Sequence, residues 1–151
     1  MRVGDLRISH LVDPLPLSCI SWFLIALVPF KRSTHMQTRE QSDQGLQVLV
    51  IEGEIDLACS PDLRTILHSY AKKKVPAVAI DFQAVTYVDS SGLATLVEYV
   101  RLAQPFGGKF GLANVSQRVR TIFELVRLHE FFPIYPTLAE ARAALLAPPG
   151  A

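Results

Sequence analysis

The residues of this chain best suited to chemistry are Asp89-Ser90-Ser91-Gly92, two adjacent hydroxyls between a carboxylate and a glycine. They follow the apolar approach Tyr87-Val88 and precede a run with helical spacing, Leu93, Leu96, Val97 and Val100. The spacing predicts a helix start, where aspartate and serine supply capping oxygens and the first backbone N–H groups point outward. Such a terminus favours negative charge. A hydroxyl there is exposed to a kinase, and a phosphate on it is locally tolerated. Taken alone, the four residues read as a helix cap and nothing more.

No catalytic set stands beside them. His10, His35, His68 and His129 are scattered, and Cys19 and Cys59 lie outside any C-x-x-C or Cys/His spacing. Gly107-Gly108-Lys109 lacks the rest of a phosphate loop and reads as a turn before a strand, and no G-x-S-x-G elbow occurs. No catalytic residue, metal or bound cofactor is therefore expected. Lys72-Lys73-Lys74 is the basic run of a chain with net charge +1, so it reads as a solvated helix end and direct nucleic-acid binding is not expected.

The elements that position the serines can be read outward from them. Met36–Glu40 is a candidate edge strand, and Asp43-Gln44-Gly45 a turn. Gln47–Glu52 is a β-branched apolar run, the pattern of a strand buried on both faces, interrupted at Gly53. Ser60 is expected to cap a helix with Pro61 at its first position and Leu63, Ile66, Leu67 and Tyr70 on one face. Val75–Phe82 follows as a strand in which Val78, Ile80 and Phe82 alternate with Ala77 and Ala79. Beyond the serine helix, Lys109–Ala113 is a strand, and Ser116 caps a helix carrying Val119, Ile122, Phe123 and Val126. Phe131–Ile134 is a short edge strand, since proline is tolerated there. Thr137 to Glu140 is a capping box opening a last helix with Leu138, Ala141 and Leu145 inward. Helices alternating with strands imply crossovers, an α/β class and a mixed, partly parallel sheet.

The chain has 151 residues, half of them hydrophobic and 19% charged, enough for one domain with a real core. Residues 1–35 differ from the rest. Leu17–Val28 is apolar and bracketed by Pro16 and Pro29, but shorter than the ~20 residues a spanning helix needs. Three readings fit: an upstream artefact or tail before a start at Met36, a membrane-associating segment over 15–30, or a signal peptide. Asp5 and Asp13 and the missing A-x-A site weigh against the last. The expected organisation is an extension at 1–35 that is dispensable for folding, a domain at 36–147, and a tail at 148–151. The few cysteines suit a reducing cytoplasm.

Val85-Thr86-Tyr87-Val88-Asp89-Ser90-Ser91-Gly92-Leu93 resembles the signature of bacterial anti-sigma factor antagonists, in the STAS family. Gly53-Glu54-Ile55-Asp56 is similar to the family's turn after its central strand, and Gly107-Gly108 stands at its turn before the fourth strand. Asn114-Val115-Ser116-Gln117-Arg118-Val119-Arg120 with Phe123-Glu124-Leu125 falls at its third helix. Four ordered matches span about Met36 to Leu146. The resemblance implies a STAS fold with a mixed four- to five-stranded sheet and about four helices. It implies that Ser90 is phosphorylated by a partner that is both anti-sigma factor and GHKL-type serine kinase, and that a phosphatase reverses this. It implies that the unphosphorylated chain, a monomer, binds that kinase and frees the sigma factor. Asp56, Asp89, Ser90, Ser91 and Gly92 then form the partner surface. A STAS accessory subunit of a membrane transport system, for lipids or of the ABC type, is the alternative, and a stressosome-like assembly a third reading.

Overall fold

The β-branched run after the Gln44-Gly45 turn becomes an interior strand of a sheet, with both of its faces covered. A computed structural model describes residues 36–150. In it, β1 (Gln37–Asp43) turns back antiparallel onto β2 (Leu46–Ile55). Strands β3 (Ala77–Val88), β4 (Lys109–Ala113) and β5 (Ile134–Tyr135) then add in parallel, giving the order β1-β2-β3-β4-β5. Four helices connect or follow them: α1 (Ser60–Lys72), α2 (Ser90–Ala103), α3 (Gln117–Leu125) and α4 (Leu138–Leu146). The expected mixed α/β sheet with four helices is thus the observed one.

The alternation in β3 sorts the two faces. Val78, Ile80 and Phe82 join Leu63, Leu67 and Tyr70 of α1, Leu93, Leu96 and Tyr99 of α2, and Val119 and Phe123 of α3 in one buried cluster. The small Ala77 and Ala79 turn to the other face, where Leu46, Val48 and Leu145 close a smaller cluster under α4. Small residues let α4 approach the sheet, while the larger set opposite fills the space beneath three helices. Phe82, Phe123 and Phe132 meet edge to face, with centroids 6.0 and 6.1 Å apart along the chain of rings.

Several boundaries differ from the sequence reading. β2 does not stop at Gly53; that residue, at φ 99°, sits in an irregular stretch with register shifts, and the strand runs on to Ile55. β3 does not stop at Phe82 but continues to Val88. Only β2 accompanies this extension, since β4 leaves at the pair Asp81↔Ala113. There the buried Asp81 carboxylate accepts from Gln83 N–H at 2.9 Å and Asn114 Nδ2 at 3.0 Å. In α2 the buried residues are Gly92, Leu93, Thr95, Leu96, Tyr99 and Ala103, whereas Val97 and Val100 are half-buried. Val126 falls outside α3 and is exposed, and β5 contains Ile134–Tyr135 while Phe132 turns into the core. Ser116 and Thr137 cap α3 and α4 as expected, accepting from Val119 N–H at 3.4 Å and Glu140 N–H at 3.2 Å. The extension at 1–35, with its apolar segment, lies outside the described residues.

Candidate functional site

The projecting ends of β2 and β3 bring two loops side by side. Ile55 and Val88 are register partners, and Asp89 N–H continues the ladder by donating to Ile55 O at 3.0 Å. Asp56 opens one loop and Asp89 the other, so the sequence-predicted Asp56, Asp89, Ser90, Ser91 and Gly92 all lie at this end of the sheet.

Asp89 is the N-cap of α2. Its Oδ1 accepts from Ser91 N–H at 2.8 Å and Gly92 N–H at 3.0 Å, and from the Ser91 hydroxyl at 2.5 Å. Partial burial opposes its charge, but the Ser91 hydroxyl and the Gly92 and Ser91 N–H groups outweigh this and hold the carboxyl below its ordinary value. The N–H groups expected to be free at this helix start are therefore already committed to Asp89. Asp56 caps its own loop, its Oδ1 accepting from Ala58 N–H at 3.0 Å and Cys59 N–H at 3.1 Å. The Cys59 thiol and N–H, with Ala58 N–H, hold the Asp56 carboxyl low against desolvation and the nearby Asp89 charge. Two ionised carboxylates thus flank the serines.

The two hydroxyls have different environments. Ser90 is exposed, and its hydroxyl makes no hydrogen bond among the described residues. Ser91 is half-buried and engaged with Asp89 and, at 2.7 Å, with the hydroxyl of Ser60. Ser60 is not the cap expected from the sequence. Cys59 holds the N-cap position without a side-chain cap bond, and Ser60 is the first residue of α1, its hydroxyl donating back to Asp56 O at 2.7 Å. The pairing with Ser91 was invisible in the sequence because the residues lie 31 positions apart.

Gly92 is buried, and its close approach is to this chain's own strands. A Cβ there would lie 2.7 Å from Ile55 Cγ2, 3.0 Å from Val88 Cγ1 and 3.3 Å from Ile55 O. Gly92→Ala is expected to cost about 1–3 kcal/mol as overpacking, read from the urea midpoint. An unchanged midpoint would mean that Ile55 yields without strain.

Apolar surface flanks the serines on both sides of α2. A groove of about 470 Å³ starts at Ser90 and is walled by Leu93, Val97, Val126 and Leu128, with Glu98 and Arg101 at its rim. A second of about 250 Å³ lies between α1 and α2, lined by Leu57, Pro61, Arg64, Ser91 and Ala94. Glu98 ties the two helices together through Arg64 at 2.9 Å and His68 at 2.8 Å. Leu57, Leu125 and Phe131 are large exposed hydrophobics that the sequence reading did not single out. Among the described residues no cluster of His, Cys, Asp and Glu is arranged to hold a metal ion, and no helix is long and apolar enough to cross a membrane.

Known proteins are similar to this chain. The model of the STAS domain matches residues 36–141. The anti-sigma-B factor antagonist of Bacillus subtilis (strain 168) is 32% identical over 95 residues, covering 63% of this chain and 85% of that protein. The protein of the same name from Listeria monocytogenes serovar 1/2a is 26% identical over 99 residues, covering 66% of this chain and 86% of that protein. The crystal structure of an anti-sigma factor antagonist from Mycobacterium paratuberculosis superposes with a TM-score of 0.71 at 29% identity, over 76% of this chain and 97% of that one. From its sequence, its fold and these relatives alike, the chain belongs to the STAS-domain family, alongside the bacterial anti-sigma factor antagonists.

Proposed function

We propose that this chain is an anti-sigma factor antagonist whose binding is switched by phosphate on Ser90. The unphosphorylated form binds an anti-sigma factor that is also a GHKL-type serine kinase, and so releases the sigma factor in the cytoplasm. The kinase ends the interaction by phosphorylating Ser90, and a phosphatase restores it. The chain itself catalyses nothing in this cycle. Asp56, Asp89 and Ser90, with Ser91 and Gly92 shaping the helix start from within, form the surface the partner reads.

The observation that carries this reading is the contrast between the two serines. Ser90 offers an exposed hydroxyl without a partner among the described residues, whereas Ser91 spends its proton on Asp89. A phosphate adds about −1.5 to −2 charge. It would stand beside Asp89, which has already taken the Ser91 and Gly92 N–H groups that a phosphate would otherwise use. The fold can stay as it is while the binding face becomes more strongly negative.

The test is phosphate incorporation from ATP by a purified anti-sigma serine kinase, with mass-spectrometric mapping. Ser90→Ala should lose incorporation, and Ser91→Ala should retain it. Since Asp89 is the cap, Ser90→Ala should also change stability by no more than about 0.5 kcal/mol. Undiminished incorporation in Ser90→Ala would overturn the acceptor assignment.

A further inference from the structure

Ser60 belongs to a row of three short contacts that too few protons serve. The Ser91 hydroxyl lies 2.5 Å from Asp89 Oδ1, the Ser60 and Ser91 hydroxyls lie 2.7 Å apart, and the Ser60 hydroxyl lies 2.7 Å from Asp56 O. The carboxylate and the carbonyl can only accept, so two hydroxyl protons serve three contacts. The Ser91 proton goes to Asp89. The Ser91 oxygen can then engage Ser60 only by accepting, and the Ser60 proton is divided between Ser91 Oγ and Asp56 O. Ser91 is held by its proton on Asp89 and, for the share of the Ser60 proton not given to Asp56 O, by one lone pair on Ser60.

That double hold bears on phosphoryl transfer. For Ser91 to react, its Oγ must turn outward and present a lone pair to the γ-phosphorus of ATP. The new Oγ–P bond forms as the bond from that phosphorus to the bridging oxygen of ADP breaks, and the hydroxyl proton leaves to a base on the kinase. The contacts to Ser60 and Asp89 must both break before the Oγ can turn outward, and so oppose the first requirement. Ser90, one residue earlier, has neither restraint among the described residues.

We infer that Ser60 is a positioning residue that sets acceptor specificity: with Asp89 it holds the Ser91 hydroxyl inward, so that phosphate goes to Ser90 alone. This rests on the proposal that Ser90 is the acceptor. Because Ser60 belongs to α1 and Ser91 to α2, the specificity of one loop is set by the loop beside it.

The experiment isolates Ser91 in a Ser90→Ala background. A purified anti-sigma serine kinase with ATP is applied to Ser90→Ala, Ser90→Ala/Ser60→Ala and Ser90→Ala/Ser60→Thr, with the wild-type chain as reference. Loss of one neutral hydrogen bond should raise incorporation at Ser91 by about two- to tenfold, and Ser60→Thr, which keeps the hydroxyl, should return it to the Ser90→Ala level. In parallel, three-bond couplings in the Ser60→Ala protein should show Ser91 χ1 averaging over rotamers where the wild type shows one, a readout that needs no kinase. Equal incorporation with and without Ser60, or a single Ser91 rotamer in both proteins, overturns the role of Ser60 and leaves the Ser90 switch standing. Wild-type incorporation rates in Ser90→Ala overturn the switch itself, and the Ser60 inference falls with it.

Discussion

Ser90→Glu should weaken binding to the anti-sigma kinase by roughly 30- to 3000-fold while the domain melts as the wild type does. The range follows from leaving a buried charge without a partner in an interface, which costs about 2–5 kcal/mol, at ~1.4 kcal/mol per tenfold in affinity. Asp89 is ionised and occupies the neighbouring N–H groups, and Asp56 adds a second carboxylate at the same end of the sheet. The fold should be indifferent, because Ser90 is exposed and the cap of α2 is Asp89. Ser90→Gln separates charge from bulk, since it has the same length and no charge. Titration calorimetry on both variants decides the matter: if Gln and Glu weaken binding equally, the switch is steric and the electrostatic account fails.

Phe123→Ala should destabilise the domain by about 3–5 kcal/mol, the usual cost of deleting a buried phenyl ring. α3 is a short helix whose buried side chains are Val119 and Phe123, so one substitution removes the larger of its two buried anchors. The ring also stands between Phe82 of the sheet and Phe132 after α3, and its loss breaks both edge-to-face contacts at once. The segment that follows α3 supplies Val126 and Leu128 to the groove beginning at Ser90, so weakening α3 loosens one wall of that groove. Urea unfolding gives the size of the effect, and amide exchange should quicken in residues 117–130 before it does in β2 or β3. A loss under about 1 kcal/mol would mean that the surrounding rings collapse into the space.

What the sequence disclosed was local. The alternation of Val78, Ile80 and Phe82 with Ala77 and Ala79 revealed both faces of the central strand. The caps at Ser116 and Thr137 were readable because each bond spans three residues. Asp89-Ser90-Ser91 was legible as a helix start for the same reason. What escaped depends on contacts between distant segments. Gln83–Tyr87 lacks a strand's alternation because β4 no longer lies alongside, and only pairing with β2 keeps it extended. Tyr99 carries a hydroxyl yet is buried against Phe110, with ring centroids 5.3 Å apart, and desolvation pushes its pKa up to about 12. The link from Ser60 to Ser91 and the one from Asn114 to Asp81 join residues 31 and 33 positions apart, a separation at which hydroxyl and amide side chains leave no periodic trace.

The two margins of the sheet bear on how crowded such a protein can become. β1 is Gln-Thr-Arg-Glu-Gln-Ser-Asp, almost wholly exposed and without an aliphatic side chain, and its end is tied to α4 by the ion pair of Asp43 with Arg142. β5, on the far side, is two residues long. A neighbouring molecule seeking to extend the sheet finds polar and charged side chains at one border and almost no length at the other, the devices by which natural sheets discourage strand-to-strand aggregation. Among the described residues, self-association through the sheet is disfavoured, while the apolar groove beginning at Ser90 stays open to a partner.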